Sequence, residues 1–368
     1  MQRIALPTVA IRGLAREATI IQGGMGVGVS LADLAGAVAR RGGVGTVSFV
    51  ALDRLVEKRI GRKVDHREGA RLEVARAKEL AGGRGAIALN VMVLVERSFK
   101  ESVLGAVDAG VDIILAGAGL PMTLPDIVGD APVALIPIVS SGRALELICR
   151  RWKRYGRTPD AVVLEGPLAG GHLGFRREDV EKPEFSLEQL FPEVKAAADA
   201  NGGIPVIVAG GVYDRQDIVR WVEAGAAGVQ MGTRFAATEE SGASPDFKKA
   251  LVGAAEDDIE VAFEPGSPSG LPFRVIKSSP GYQLALSRTR KPLCDKQYLL
   301  HPGKDGKLSC PALDSTDSFC ICNVLLSAAD YNAKEEQPIY TCGALAHRVD
   351  RIMPVSELMD ELTGIDAR

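Results

Sequence analysis

Eight short apolar runs, rich in β-branched residues, recur along the chain with helical stretches between them. Each run is continuously apolar, which is typical of strands that are buried on both faces of a parallel sheet. Eight strand-and-helix units predict an α/β fold, a (β/α)8 TIM barrel, because a doubly wound sheet rarely needs so many strands. The predicted strands lie at 19–22, 44–48, 86–91, 112–116, 133–139, 161–165, 204–210 and 227–232.

The intervening stretches have the spacing of amphipathic helices, and the regular pattern stops near residue 255. We therefore expect a barrel domain over 1–255 and a loop-rich C-terminal extension over 256–368, which packs on the barrel mouth as a lid or small subdomain. Within the extension, residues 354–363 predict a short closing helix with Ser356 as its N-cap. The predicted barrel helices lie at 31–41, 67–81, 99–110, 142–156, 186–200 and 214–226.

Composition and charge describe an ordinary globular protein of 368 residues, with 46% hydrophobic and 25% charged residues. The net charge of −3 and a pI near 6.0 provide no basic surface for nucleic acid or for a membrane. No apolar run approaches the length of a membrane span, and the N-terminus does not resemble a signal peptide. We therefore expect a cytoplasmic protein without nucleic-acid or membrane partners.

Five of the six cysteines lie in the last quarter of the chain. A disulfide framework is not expected in a long cytosolic chain, and the spacing lacks the C-x-x-C pairs of common metal and iron–sulfur sites. We expect buried small apolar side chains and no metal, although the spacing assigns no role to the clustered thiols. The cysteines are Cys149, Cys294, Cys310, Cys320, Cys322 and Cys342.

The glycine-rich stretch IQGGMGVGVS, residues 21–30, first suggests a dinucleotide-binding fold. That fold requires G-x-G-x-x-G, and Val29 or Leu31 occupies the position of the third glycine in either register. Asp53 lies at a suitable distance along the chain for a carboxylate that binds ribose, but half of the glycine spacing of the motif is not met. The barrel interpretation explains the glycines better.

In a TIM barrel the active site lies at the C-terminal ends of the strands. Six of the eight segments that follow the predicted strands carry glycine at this point. A flat ligand that the backbone approaches closely explains the distribution. These segments are QGGMG (22–26), AGAGLP (116–121), SSG (140–142), EGPLAGGHLGF (165–175), AGG (209–211) and MGT (231–233).

The loops after strands seven and eight form the usual phosphate site of this fold. Here Gly210, Gly211, Gly232 and Thr233 can offer four N–H groups and a hydroxyl to one phosphate. The alternative is that the glycines only allow tight turns, but glycines occur in both loops together. One phosphate and a flat ring system together suggest FMN.

Three segments resemble the nitronate monooxygenase family, formerly called 2-nitropropane dioxygenases. They are IQGGMG (21–26), EGPLAGGHLGF (165–175) and the stretch from IPVIVAGG to RFAATEES (204–241). The resemblance extends over about residues 15–290 and continues more weakly to the C-terminus. Flavin-type enoyl-ACP reductases and some NADH:quinone reductases share the same fold and cofactor, so the motifs specify the superfamily better than the reaction.

The resemblance implies that His172 is the catalytic residue. It also implies that the first loop lies along the flavin ring, that Asn90 hydrogen-bonds the flavin and that Glu165 lies near it. Many members have an acidic residue where this chain has Leu168, which suggests a subgroup with a different substrate. The predicted cofactor-binding residues are Gly23, Gly24, Met25, Asn90, Glu165, Gly170, Gly171, Ala209, Gly210, Gly211, Gln230, Met231, Gly232 and Thr233.

His172 follows two glycines at the mouth of strand six, and its imidazole can accept a proton near neutral pH. The favoured hypothesis is oxidation of a nitronate or nitroalkane with O₂ to a carbonyl compound and nitrite. The alternative is an NAD(P)H-dependent FMN reductase of a quinone or enoyl thioester, with His172 as proton donor or orienting group. A catalytically silent FMN-binding barrel is a third hypothesis. The expected partners are a small-molecule substrate and O₂ or NAD(P)H, and a homodimer is compatible with the resemblance.

Overall fold

The computed structural model describes residue 11 and residues 19–289, 295–302, 306–313 and 316–364. Within these ranges eight parallel strands close a barrel, which confirms the predicted fold class. The barrel strands, in their order around the ring, are β1 (Ile20–Gln22), β2 (Val44–Ser48), β3 (Ala86–Met92), β4 (Ile113–Gly117), β5 (Ala134–Val139), β6 (Val162–Glu165), β8 (Val206–Ala209) and β9 (Gly228–Met231), whereas β7 (Gly171–His172) lies outside the barrel.

Helices follow most barrel strands, and all six predicted amphipathic stretches form helices. The stretch predicted over 142–156 divides into an α-helix and a short 3₁₀ helix at Lys153–Tyr155. Short helices that the sequence pattern did not indicate follow β2 and β4. The helices of the barrel region are α1 (Ala32–Arg40), α2 (Leu52–Ile60), α3 (His66–Ala81), α4 (Glu96–Asp108), α5 (Leu124–Val128), α6 (Gly142–Trp152), α7 (Leu187–Ala200), α8 (Arg215–Glu223), α9 (Thr233–Ala236) and α10 (Pro245–Gly253).

The strands bury both faces. Alternate residues point into the barrel, where Ala88, Leu115 and Ile136 belong to one buried apolar cluster. Their neighbours Leu89 and Leu135 belong to the cluster that packs between the strands and the surrounding helices. This arrangement explains why the strands read as continuously apolar runs.

The extension contains short elements that return to the barrel. Two of its strands form an antiparallel sheet with β7 in the order β10, β11, β7, and its last helix packs against α1 and α8. The boundary at residue 255 stays a prediction. The elements are β10 (Ile259–Ala262), β11 (Phe273–Ile276), α11 (Pro280–Leu286), β12 (His301–Pro302), β13 (Leu308–Ser309), α12 (Ile321–Ala328) and α13 (Val355–Thr363).

The closing helix α13 lies where the sequence predicts it, but its predicted cap is wrong. Pro354, with φ −62° and ψ 147°, is the N-cap residue, and the helix begins at Val355. Ser356 therefore lies inside the first turn. Proline suits this position because its fixed φ favours entry into a helix.

A buried carboxylate joins the first three helices of the barrel. Glu73 on α3 is fully buried. Its Oε1 accepts a hydrogen bond from the Ala32 N–H at the start of α1, at 2.7 Å, and its Oε2 pairs with the Arg59 guanidinium on α2. The carboxylate satisfies an otherwise unpaired N–H of a helix terminus and balances a cation.

Replacing Glu73 with alanine should destabilise the fold strongly, because it removes the buried partner of Arg59 and leaves the Ala32 N–H without its acceptor. We expect Glu73→Ala to lower the free energy of unfolding by about 3 kcal/mol, measured by urea denaturation. Glu79→Ala is the control, because Glu79 is exposed on the same helix; its effect should stay within about 0.5 kcal/mol. Equal effects of the two substitutions would contradict this interpretation.

Candidate functional site

The C-terminal ends of the barrel strands surround a cavity, as the fold predicts. All fifteen residues that the sequence selects lie in its lining. Placement alone does not show that they bind a cofactor, and their roles remain predictions. The fifteen are Gly23, Gly24, Met25, Asn90, Glu165, Gly170, Gly171, His172, Ala209, Gly210, Gly211, Gln230, Met231, Gly232 and Thr233.

The loop after β1 lies against the end of β3. The Gly23 N–H donates to the Met231 carbonyl at 2.7 Å, which joins this loop to β9. A Cβ on Gly24 would collide with the side chain of Asn90. Only glycine therefore lets this backbone approach Asn90 so closely, and the loop presents bare backbone to the cavity.

One of the predicted phosphate loops has a backbone conformation that favours glycine. Gly210 and Gly211 adopt φ values of +87° and +86°, which residues with a side chain rarely adopt. The neighbouring helix α9 begins at Thr233, and the N–H groups of a first helical turn have no partner within the helix. The Thr233 hydroxyl accepts a hydrogen bond from the Gly343 N–H at 2.8 Å. The extension therefore contributes backbone to this side of the cavity.

Gln230 presents an unsatisfied polar atom in the cavity lining. Its side chain is 8% exposed, and its Oε1 has no hydrogen-bond partner in the described part of the chain. A buried amide oxygen without a donor is costly and is normally paired. A ligand with an N–H group in the cavity would supply the missing donor.

His172 is fixed by contacts with the extension. Its Nε2 lies 2.7 Å from the Ser267 Oγ, and its ring packs on Phe273 with centroids 4.7 Å apart. Burial lowers the pKa of the imidazole to about 4, because a charged form would lose its hydration. His172 is therefore neutral at physiological pH.

Glu165 is the last residue of β6, and its pKa shifts in the opposite direction from that of His172. Burial raises the pKa of its carboxyl to about 7, because the ionised form loses its hydration. Near pH 6 both Glu165 and His172 are mainly uncharged. These two side chains therefore add little charge to the cavity at this pH.

Arg274 on β11 holds the loop that carries His172. Its guanidinium is 8% exposed, and it donates to the carbonyls of Pro167 and Ala169 at 2.7 and 3.0 Å. Arg274 also pairs with Gly171 in the strand register, and its neighbour Phe273 pairs with His172. The extension thereby fixes the backbone on both sides of the two loop glycines.

Sequence reasoning missed the residues of the extension that support or line the cavity. Ser267 contacts His172 and Arg274 holds its loop, whereas Gly343 and several side chains line the cavity itself. The segment SPSGLPFRVI (267–276) carried a weak resemblance, but no spacing rule connects it to His172. The additional lining residues are Tyr298, Leu299, Ile321, Cys322, Leu325, Thr341, Cys342 and Leu345.

The cysteines for which the structure gives positions are buried: Cys149, Cys310, Cys320, Cys322 and Cys342. Burial raises the pKa of the Cys342 thiol to about 12, so the thiol stays protonated. Cys294 and residues 1–10 lie outside the described ranges. No described helix combines the length and hydropathy needed to cross a lipid bilayer.

The nitronate monooxygenase family model matches residues 10–364. The chain therefore belongs to the nitronate monooxygenase family, a family of flavin-dependent oxidoreductases, and this confirms the resemblance seen in the sequence. Among curated relatives, the nitronate monooxygenase of Pseudomonas aeruginosa is 33% identical over 177 residues, which cover 42% of this chain and 48% of the relative. A probable nitronate monooxygenase of Staphylococcus aureus is 34% identical over 127 residues, covering 34% of this chain and 35% of the relative. The matches span half or less of these relatives.

Solved structures with the same fold include FabK from Thermotoga maritima, with a TM-score of 0.70 and 23% identity over 97% of this chain and 96% of that one. Nitroalkane oxidase from Streptomyces ansochromogenes gives a TM-score of 0.64 and 22% identity over 94% of this chain and 95% of that one. At these identities the likeness concerns the fold.

The lowered pKa of His172 can be measured directly. A depressed pKa means that the imidazole stays neutral as the pH falls from 8 to 5 and gains its proton only near pH 4. Nuclear magnetic resonance of the histidine ring protons should show one resonance without a titration step above pH 5. His172→Asn should remove this resonance and so assign it. A midpoint near 6.5, the ordinary value, would contradict the structure.

Proposed function

We propose that the protein is an FMN-dependent nitronate monooxygenase with His172 as its catalytic base. The observation that supports this best is the position of His172, fixed by Ser267 at 2.7 Å, in the cavity whose lining also includes the glycines of the predicted phosphate loops. Family membership supports the reaction class, although the curated relatives match over half their length or less. The substrate and the electron acceptor are therefore part of the proposal.

FMN fits the chemistry of the cavity on three counts. The collision of a Gly24 side chain with Asn90 leaves a bare backbone surface for a flat ring. The unpaired Gln230 Oε1 would accept from a ring N–H, and the two positive-φ glycines, Gly210 and Gly211, would hold one phosphate with Gly232 and Thr233. When bound, FMN would supply the redox chemistry, the transfer of electrons from the substrate to O₂.

The hydrogen bonds around Ser267 allow the tautomer of His172 that a base requires. The Ser267 Oγ lies 2.9 Å from the Ser269 Oγ and accepts from the Ser269 N–H at 3.3 Å. If the Ser267 hydroxyl donates to Ser269, its oxygen accepts the Nε2–H of His172. Nδ1 then keeps its lone pair, which a base requires.

The imidazole has a different task with each form of the substrate. With a neutral nitroalkane, Nδ1 of His172 removes the proton on the carbon beside the nitro group. With a nitronate, that proton is already absent, and His172 only orients the anion. In the overall reaction, two nitronate anions and one O₂ give two carbonyl compounds and two nitrite anions.

The test of this proposal is anaerobic stopped-flow absorbance near 450 nm on the flavin-loaded protein. Ethyl nitronate should bleach the flavin, whereas NADH and NADPH should leave it oxidised. Bleaching by a pyridine nucleotide alone would overturn the proposal in favour of a reductase of quinones or enoyl thioesters. A protein that purifies without flavin and binds no added FMN would favour the catalytically silent barrel.

Substitution of His172 should affect neutral substrates selectively. We expect His172→Asn to slow flavin reduction by neutral nitroethane by about 10²- to 10⁴-fold, the usual contribution of a general base, and to change the rate with ethyl nitronate much less. The measurement is the rate of bleaching with each form of the substrate at one pH. His66→Asn is the control, because His66 does not line the cavity. Equal losses with both forms would exclude His172 as the base.

A further inference from the structure

A buried arginine joins the two loops that the sequence predicts to hold a phosphate. Arg234, directly after Thr233 in α9, is 8% exposed. Its guanidinium lies over the Tyr213 ring, 4.7 Å from the ring centroid, and donates to the Tyr213 carbonyl at 3.5 Å. Tyr213 lies two residues after Gly211 in the other loop, and both Tyr213 and Arg234 line the cavity. Arg234 therefore links the loop after β8 to the loop after β9.

The counter-charge of Arg234 comes from α13, near the end of the chain. The two terminal nitrogens of the guanidinium donate to the two carboxylate oxygens of Glu361, at 2.7 and 2.9 Å. A pair of this kind fixes the orientation of the guanidinium plane as well as its charge. Glu361 is not among the described residues that line the cavity. Its carboxylate therefore reaches the cavity lining through Arg234.

Other residues of the same C-terminal segment (343–361) also contact both loops. The Gly343 N–H donates to the Thr233 hydroxyl at 2.8 Å. The Arg348 guanidinium lies over the Tyr213 ring, 4.2 Å from its centroid, and the Arg348 carbonyl accepts a hydrogen bond from the Tyr213 hydroxyl. The helix α13 packs against α8 and α9. The C-terminal segment is thus attached to the loops on which the predicted phosphate glycines lie.

We propose that Glu361 is a positioning residue for the phosphate of FMN, and that it acts through Arg234. The proposal rests on the FMN site of the proposed function. While the ion pair is intact, the guanidinium is held between Glu361 and the Tyr213 carbonyl, and the two loops keep a fixed spacing. Loops that are already ordered lose less conformational freedom when they bind a ligand. Without the carboxylate, the buried cation loses its counter-charge and turns to another acceptor, so the link between the loops weakens.

The electrostatic effect of the same carboxylate has the opposite sign. Glu361 neutralises the Arg234 cation, and removal of the negative charge would by itself attract a phosphate dianion. The guanidinium is buried and bound by two parallel hydrogen bonds, so we expect the loss of positioning to outweigh the gain in attraction. The direction of the change in FMN affinity distinguishes the two effects.

The test compares the binding of FMN with that of riboflavin, which has the same ring system but no phosphate. The full-length protein, freed of its flavin, is titrated with each compound, and the quenching of flavin fluorescence gives the two dissociation constants. We expect Glu361→Gln to weaken FMN binding by at least roughly fivefold, the lower end of the usual coupling between two sites, and to leave riboflavin binding unchanged. A general loss of stability would change both affinities alike, so the ratio of the two constants isolates the phosphate.

Glu357→Gln is the matched control. Glu357 lies on the same helix, its side chain is 44% exposed like that of Glu361, and it pairs with Arg351, which is outside the described lining of the cavity. This variant should leave both affinities unchanged. If Glu361→Gln does not fold, Glu361→Asp retracts the carboxylate without removing its charge, and it should weaken FMN binding relative to riboflavin. Tighter or unchanged binding of FMN by the Glu361 variant, or an equal loss in the control, would overturn the inference.

A double variant tests whether the effect passes through Arg234. Arg234→Gln removes the link between the loops, so the addition of Glu361→Gln should cause no further loss of FMN affinity. A further loss, equal to that of Glu361→Gln alone, would overturn the proposed route.

The results separate this inference from the proposed function. Bleaching by a pyridine nucleotide alone, together with the expected loss of FMN affinity in Glu361→Gln, would overturn the nitronate reaction and support the inference. Bleaching by ethyl nitronate, together with an unchanged ratio of FMN to riboflavin affinity in that variant, would overturn the inference alone. A wild-type protein that binds neither flavin would overturn both.

Discussion

The antiparallel pairing of β7 with β11 is the constraint on which the candidate site depends. It pairs Phe273 with His172 and Arg274 with Gly171, so the loop after β6 takes its geometry from the extension. The Arg274 guanidinium then holds the same loop through two carbonyls. Both of these contacts are with backbone carbonyls, so the guanidinium fixes the course of the loop. The barrel alone would leave His172 on an unsupported loop.

This dependence gives the extension a larger role than that of a lid. Its Gly343 N–H bonds to Thr233 beside the predicted phosphate loops, and its Ser267 bonds to His172. It also contributes Leu299, Ile321 and Leu325 to the cavity lining. The extension therefore contributes to the cavity at several points. Changes in this part of the chain are expected to alter substrate choice while the barrel stays the same.

The fold could be predicted almost completely, because its signal is local. The run at 44–48 is β2 without a change of boundary, and strands buried on both faces must read as continuous apolar segments. The barrel-mouth residues followed from the rule that places active sites after the strands. Ser267 could not be found in this way, since 95 residues separate it from His172 and their contact depends on the β7–β11 register. Leu299 and Ile321 were missed for the same reason: no periodicity shows which cavity an irregular segment will cover.

Burial sets the charge state of Glu165 and His172 in the cavity. The pKa of Glu165 is raised to about 7 and that of His172 is lowered to about 4, and burial is the cause of both shifts. Near pH 6 neither group carries much charge, and Arg234 is neutralised by Glu361. The same burial leaves the imidazole of His172 unprotonated, with a lone pair available to the substrate, but it also makes the imidazole a weaker base than a solvated one.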